Sequence, residues 1–373
     1  LIEKQTQIND LFTRIAKIPN PSIKPIIGCK DQYYYRNKME FSYSSNKWIP
    51  NLNEQNKNQS SVAFGLHVKG RYDKIVDINE CHINGKLSNE IFKFLKDILI
   101  KQNIEPFNIK TRTGYLRNVI IREGKSINEI LINFIITNSN IEILKPVIEK
   151  LINEFSEIKS IISTIVKPNS GSSISEEEKI LWGEDYISEN IGKYLYKISS
   201  NSFFQTNSKQ SKVLYDLIVE ICEFKGDEVV YDLYCGTGSI GIYIAKYVKM
   251  VYGIEIVMSA VIDAVENAKN NETNNIHFFH GDLIDSFQNN QELKLIDNPD
   301  IIILDPPRAG IHNKTLIDII NFNAKKIVYV SCNPSTQARD VNILIDNGYS
   351  IKNIQPIDMF PHTPHIENIV LLS

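Results

Sequence analysis

A chain of 373 residues, 42% hydrophobic and 23% charged, is long enough for two or three domains and has the make-up of an ordinary globular protein. No apolar run approaches the roughly 18 residues of a membrane span, and five scattered cysteines without a CxxC pair point to a reducing cytoplasm rather than a disulfide framework. The net charge of −3 hides an asymmetry, because residues 30–125 hold 17 Lys and Arg against 10 Asp and Glu, a local +7 that leaves −10 elsewhere. Such a region suits nucleic acid, the alternative being chance clustering on a solvated face.

Leu1, Ile8, Leu11, Phe12, Ile15 and Ile18 recur at three- and four-residue spacings, which predicts an amphipathic helix over 1–18 that Pro19 and Pro21 end. This N-terminal segment, 1–28, is expected to pack on the catalytic domain. The chain starts at Leu1 with neither an initiator Met nor a signal peptide, so an N-terminal part beyond it is expected. From 29 to 195, short strand-like runs (MEFSYS, KIVDI, NVIIRE, EILINFII) and helical stretches near 87–101 and 141–156 predict a mixed α+β domain. Lys167–Lys179 is polar, with Gly and Ser, and is expected to be a loop near a boundary. Between 196 and 373 apolar strands alternate with helical patterns: VVYDLY, MVYGIEI, IHFFHGD, PDIIILD, KIVYVSC and a final strand pair. That alternation predicts a doubly wound parallel sheet, whose ligands bind at the carboxyl ends of the strands.

The polar clusters of this half lie at those ends. Cys235-Gly236-Thr237-Gly238-Ser239-Ile240-Gly241 is a formal GxGxxG turn at a helix start, weak evidence alone. Asp232 just before it suits a ligand amino group and favours S-adenosylmethionine over NAD. Glu255 ends the next strand, where a carboxylate can accept both hydroxyls of a ribose or simply begin a helix. Asp282 follows the third strand, placed for an adenine amine. Asp305-Pro306-Pro307-Arg308 follows the fourth, with two prolines that fix a rigid loop. Strand KIVYV ends in Ser331-Cys332-Asn333-Pro334. A free cysteine is most often a packing residue, but a thiolate here can add to the electrophilic C6 of a pyrimidine and make C5 nucleophilic toward a sulfonium methyl. Such an adduct resolves only when a base removes the C5 proton, and Glu367 in HIEN is a candidate, the alternative being a surface carboxylate in a hairpin.

The segments YYYRNKMEFSYS (33–44), FGLH, IVDINEC, SFFQTN (202–207), DLYCGTGSIG, DPPRAG, YVSCNPSTQARD and HIENIVLL resemble the RNA uracil-5-methyltransferases, whose tRNA and 23S rRNA enzymes share this order of motifs. The resemblance spans nearly the whole chain. It implies an α/β fold, a Rossmann-like doubly wound methyltransferase domain dependent on S-adenosylmethionine with a smaller α+β RNA-binding domain. It also implies Cys332 as the nucleophile and Glu367 as the base. Gln205, Tyr234, Gly236, Gly238, Ser239, Glu255, Asp282 and Asp305 match positions associated with the cofactor or the target base, Ser239 standing where some relatives have Asn. An amide at Gln205 can donate to uracil O4 and accept from N3–H, a complement that cytosine lacks.

Phe203 and Phe204 could stack a base or lie in the core, with the core expected for at least one. The uridine must be flipped out of structured RNA, which the basic region would hold, with Arg36, Lys38, Arg112, Arg117 and Arg122 as phosphate candidates. Arg36-Asn37-Lys38 could equally be structural. Many relatives bind an iron-sulfur cluster through three closely spaced cysteines and a distant fourth; Cys81 matches only the fourth, and one cysteine cannot hold a cluster. The expected partner is RNA, 23S rRNA ahead of tRNA because SFFQTN and the layout look more like the rRNA branch, with no membrane or protein partner implied. The alternatives are an exocyclic-amine methyltransferase using the Asp305 loop, a catalytically silent RNA-binding protein, and an NAD oxidoreductase.

Overall fold

A computed structural model describes residues 1–50, 61–168, 177–200, 202–284, 287, 293 and 295–373. Helix α1 (Ile2–Arg14) ends before Pro19, through Lys17 in the left-handed region (φ 56°) and the Ile18 amide donating back to the Phe12 carbonyl at 3.2 Å. A residue before proline avoids the helical region, so the chain must leave the helix there. Two compact units follow from the contacts: Leu1–Gln32 with Asn190–Ser373, and Tyr33–Glu189. The sequence had suggested breaks after 28 and 195; the first unit is discontinuous, and 1–32 is part of it.

The unit Tyr33–Glu189 contains β1 (Lys38–Ser44), β2 (Ala63–Val68), β3 (Arg71–Asp77), α2 (Lys86–Lys101), β4 (Leu116–Gly124), β5 (Glu129–Ile136), α3 (Lys145–Glu154), β6 (Ile158–Ile165) and β7 (Glu177–Gly183). Among the described residues these strands form a sheet in the order β3-β2-β1-β4-β5-β6-β7. Alternation in β1 sends Met39, Phe41 and Tyr43 into one core with Ile91, Phe92, Leu95 and Leu99 of α2. The predicted loop at 167–179 is already strand from Glu177; its residues 169–176 lie outside the described residues. Strands β8 (Tyr186–Ile191) and β9 (Tyr194–Ser199) pair as a separate two-stranded sheet.

The other unit continues with α4 (Ser208–Cys222), β10 (Val229–Leu233), α5 (Ser239–Ile244), β11 (Met250–Glu255), α6 (Met258–Asn270), β12 (Ile276–His280), β13 (Ile301–Leu304), α7 (Asn313–Phe322), β14 (Lys326–Ser331), α8 (Pro334–Asp346), β15 (Ile351–Ile357) and β16 (Glu367–Leu372). The strand order is β12-β11-β10-β13-β14-β16-β15, the first five parallel and β16 antiparallel to both neighbours. The order reverses between β10 and β13, and an open α/β sheet binds its ligand at the carboxyl side of such a reversal.

Helix α4 was not anticipated. Asn207 caps it by accepting from the Gln210 amide at 3.2 Å, and Leu214, Ile218 and Cys222 form its buried stripe. Helix α1 puts Ile8 and Phe12, both fully buried, into one cluster with Val341 and Leu344 of α8 and Ile354 of β15. At about 1.5–3 kcal/mol for each buried side chain, α1 is an integral part of this unit's core.

Candidate active site

The turn after β10 is built from left-handed residues: Tyr234 (φ 63°), Gly236 (53°) and Gly238 (76°). A Cβ at Gly238 would lie 2.6 Å from Phe278, so the turn closes only on glycine. Glu255, at the end of β11, accepts from the Gly236 amide (3.0 Å) through one oxygen and from the Val257 amide (2.9 Å) through the other. The residue expected at a ribose therefore also ties the glycine turn to the next strand, and a carboxylate retains acceptor capacity after two such bonds. Asp282 is exposed past β12 and caps its own turn by accepting from the Ile284 amide (2.9 Å).

Asp232 is wholly buried. One of its oxygens accepts from the Gly241 amide at 2.9 Å, an approach that a side chain at 241 would obstruct; the other, Oδ1, has no hydrogen-bond partner. Burial pushes its carboxyl up to about 7, against the pull of the Gly241 amide. Asp305, just past β13, accepts from Gln205 Nε2 at 3.2 Å, and burial lifts its carboxyl to about 7 as well. Glu367 is buried with Oε1 unpartnered, and burial together with the charge of Asp305 pushes it far above the usual carboxylate range.

The antiparallel register pairs Ser331 with Asn368, which brings Cys332, one step beyond β14, level with Glu367. Burial, then the charges of Glu367 and Asp305, push the half-buried Cys332 thiol up to about 11, with Arg308 opposing. The strand ends are locked together. Gln337, fully buried on α8, donates from Nε2 to the carbonyls of Tyr329 (2.7 Å) and Asn368 (3.0 Å) and accepts from Asn368 Nδ2 (2.7 Å). Asn333 Nδ2 (2.8 Å) and Thr336 Oγ1 (3.2 Å) both donate to the Arg308 carbonyl and so join the proline loop to the cysteine turn.

The fold thus brings Gln205, Asp305, Cys332 and Glu367 into one cluster, with Asp232, Gly236, Gly238 and Glu255 along the same sheet edge. Ser239 differs: its hydroxyl is 2.8 Å from that of Tyr215 in α4, and its carbonyl accepts from the Tyr196 hydroxyl at 3.0 Å. Tyr234 is held by its left-handed backbone, and burial raises its phenol. The two phenylalanines divide, Phe204 being 5% and Phe203 64% exposed, with the Phe203 ring near Gly236. What the sequence reading missed is the support of this edge. Asp263 on α6 accepts from the Ser199 hydroxyl (2.6 Å) and from that of Ser202, and so tethers the approach to Gln205.

In the unit Tyr33–Glu189, Arg122 is 2% exposed and lies opposite Lys38 in the β1–β4 register. Burial, then the charge of Arg122, lower the Lys38 ammonium to about 8. Arg122 thus does not face solvent as a phosphate ligand would, while Arg112 is exposed on a turn and the Arg117 guanidinium lies 5.4 Å from the Phe107 ring centre. The Cys81 backbone is held by the Asn89 side chain (3.0 Å at N and at O), and among the described residues no group of three or more His, Cys, Asp or Glu could hold a metal ion. A cluster does not fit one cysteine. No helix among the described residues is long and apolar enough to cross a membrane.

Three carboxyls are buried here, two of them with an oxygen that has no hydrogen-bond partner, which a hydrogen-bonding or cationic ligand would satisfy. Folding favours the protonated form of Asp232, so its contribution to stability is full below the unfolded value of 3.8 and is lost as pH rises through about 7. The ligand-free protein should accordingly lose stability relative to Asp232→Asn between pH 4 and 7, by on the order of 1.4 kcal/mol per pH unit. Urea denaturation of both proteins across that range checks this, and parallel curves would refute it.

The family model described as tRNA (uracil-5-)-methyltransferase matches residues 128–373. An RNA methyltransferase of Bacteroides thetaiotaomicron is 38% identical over 99% of this chain and 82% of its own length. One from Chlorobaculum tepidum is 34% identical over 98% and 77%. Among solved structures, the Pyrococcus abyssi tRNA (uracil-54, C5)-methyltransferase in complex with S-adenosyl-L-homocysteine superposes with a TM-score of 0.77 at 30% identity, covering 100% of this chain and 83% of that one.

Proposed function

This chain belongs to the tRNA (uracil-5-)-methyltransferase family of RNA methyltransferases, and on that premise we propose that it methylates C5 of a uridine in 23S rRNA through a covalent adduct of Cys332. The observation that carries the reading is the placing of a thiol and a buried carboxyl with an unpartnered oxygen at adjoining antiparallel strand ends, beside the Gln205–Asp305 pair. S-adenosylmethionine supplies the methyl group as a sulfonium. Its positive charge suits the Asp232, Asp305 and Glu367 carboxyls, and the Gly236 turn and Glu255 fit its nucleoside.

Cys332 gives up its proton to solvent and Sγ bonds to C6 of the uracil, which makes C5 an enolate-like carbon that takes the methyl group as the S–CH3 bond of the sulfonium breaks and leaves a neutral thioether. Glu367, as the carboxylate, then accepts the C5 proton at Oε1, so the step requires that this raised carboxyl be ionised when the adduct forms. The electron pair of the C5–H bond restores the C5–C6 double bond, the Sγ–C6 bond breaks and the thiolate returns. Gln205, held by Asp305, reads the O4 and N3–H edge of uracil. Asp305 orients that amide and, once ionised, favours the cationic cofactor.

The choice of 23S rRNA draws on the likeness of Ser202–Asn207 and the motif layout to the rRNA enzymes; tRNA is the second reading, favoured by the likeness to the Pyrococcus abyssi enzyme. The test offers the protein 23S rRNA and tRNA transcripts made with 5-fluorouridine, together with S-adenosylmethionine. Fluorine cannot leave C5 as a proton, so the reaction should stop as a methylated, denaturation-resistant complex joined at Cys332. The RNA that forms it identifies the substrate. Cofactor binding with no adduct on either RNA would sink the proposal and leave amine methylation.

A further inference from the structure

Glu367 stands at the start of β16, directly after a loop, Asp358–Ile366, that begins where β15 ends. The loop is braced within itself. Thr363 Oγ1 donates to the Phe360 carbonyl (2.7 Å), the His365 amide donates to Thr363 Oγ1 (3.3 Å), and Pro361 and Pro364 fix their own φ. These bonds and prolines narrow the loop's freedom, so a contact that holds it also restrains the residue that follows.

Lys4 holds it. From the first turns of α1, the Lys4 ammonium donates to Asp358 Oδ1 (2.7 Å), the Phe360 carbonyl (3.1 Å) and the His365 carbonyl (2.7 Å). An ammonium has three protons, and here each has an acceptor, two of them backbone carbonyls at opposite ends of the loop. The lysine side chain is only 13% exposed, so the contact is screened little by solvent. Two other contacts fix the near end of the loop: the Asp358 amide donates to the Ile27 carbonyl (2.8 Å), and Asn207, two residues after Gln205, donates to the Met359 carbonyl (3.0 Å). Lys4 spans from Asp358 to His365, two residues before Glu367.

We infer that Lys4 is a positioning residue for proton removal from C5, holding the Asp358–Ile366 loop so that the Glu367 carboxyl meets the adduct. The inference rests on the reading of Glu367 as the base. Its consequence is specific to one step. Loss of Lys4 should leave cofactor binding, addition of Cys332 and the first methyl transfer intact, and slow the departure of the C5 hydrogen.

The experiment uses the full chain and the RNA identified with 5-fluorouridine, now carrying ordinary uridine labelled with tritium at C5. Lys4→Met should release tritium on the order of tenfold more slowly, a partial loss of the roughly 10²–10⁴-fold that a well-placed general base contributes. The methylated covalent complex should build up on a denaturing gel, with first-turnover methyl transfer at the wild-type rate. A partly unfolded variant would instead lose methyl transfer and tritium release in proportion. Because Lys4→Met removes the cation paired with the buried Asp358, Lys4→Met with Asp358→Asn is the companion variant, free of that charge and still without the bonds to Phe360 and His365. Tritium release at the wild-type rate, or a proportional loss of both signals, in the companion variant overturns the inference. If the wild-type protein forms no 5-fluorouridine adduct, the reading of Cys332 and Glu367 fails first, and the inference falls with it.

Discussion

Cys332→Ala should lose methyl transfer by on the order of 10⁴-fold or more, the scale on which removal of a covalent nucleophile acts, while S-adenosylmethionine still binds. The cysteine lies past the end of β14, and the core beneath it is made by Tyr329, Val330 and their neighbours, so the fold should survive the truncation. Methyl incorporation from labelled cofactor, read beside cofactor affinity, measures the split. A variant that still methylates at a tenth of the wild-type rate would show that the thiol is a packing residue. The same thiol sets a pH dependence. Burial and the carboxyls of Glu367 and Asp305 hold it at about 11, so at neutral pH little of it is thiolate in the free protein. Alkylation of Cys332 by iodoacetamide should quicken as pH rises, and quicken again at fixed pH when the sulfonium cofactor supplies a positive charge.

Glu367→Gln should part methyl transfer from turnover. Glutamine keeps the shape and cannot take a proton, so the variant should methylate once and remain bonded to ordinary uridine RNA, with turnover reduced by about 10²–10⁴-fold. A covalent band without any fluorinated base, carrying the labelled methyl group, is the expected sign. Full turnover would mean that another base serves. Stability should move the other way. Burial pushes the Glu367 carboxyl far above its usual range, so the ionised form strains the fold, and the amide should be at least as stable as the wild type above neutral pH. A site that lowers stability in order to act is what a buried base entails.

The glycine turn, Asp282, the proline loop and Cys332 were each legible one at a time, because every one follows an apolar strand and the alternation of strand and helix says which end of a strand faces the ligand. Helix α4 was missed although Asn207 announces its start, since the stretch SKQSKVLYDL begins with five polar residues and shows its buried stripe only from Leu214 onward. Arg122 reads as a phosphate candidate from its place in the basic region, and nothing local shows that its face of β4, opposite Ile121, is buried too.

The class of sheet, the strand ends where polar side chains gather and the types of those side chains could be read from the sequence, because all depend on neighbours within a few positions along the chain. Which of those ends adjoin depends on how the strands are ordered in space. The reversal between β10 and β13 places the glycine turn beside Asp305, and the antiparallel insertion of β16 between β14 and β15 sets Glu367 level with Cys332. The tertiary structure also decided that Lys4 reaches Asp358 and His365 across more than 350 positions of sequence, and that Gln337 ties β14 to β16. Hydrogen bonds act over about 3 Å of space irrespective of separation along the chain, whereas the period of a helix or strand reports only its nearest neighbours.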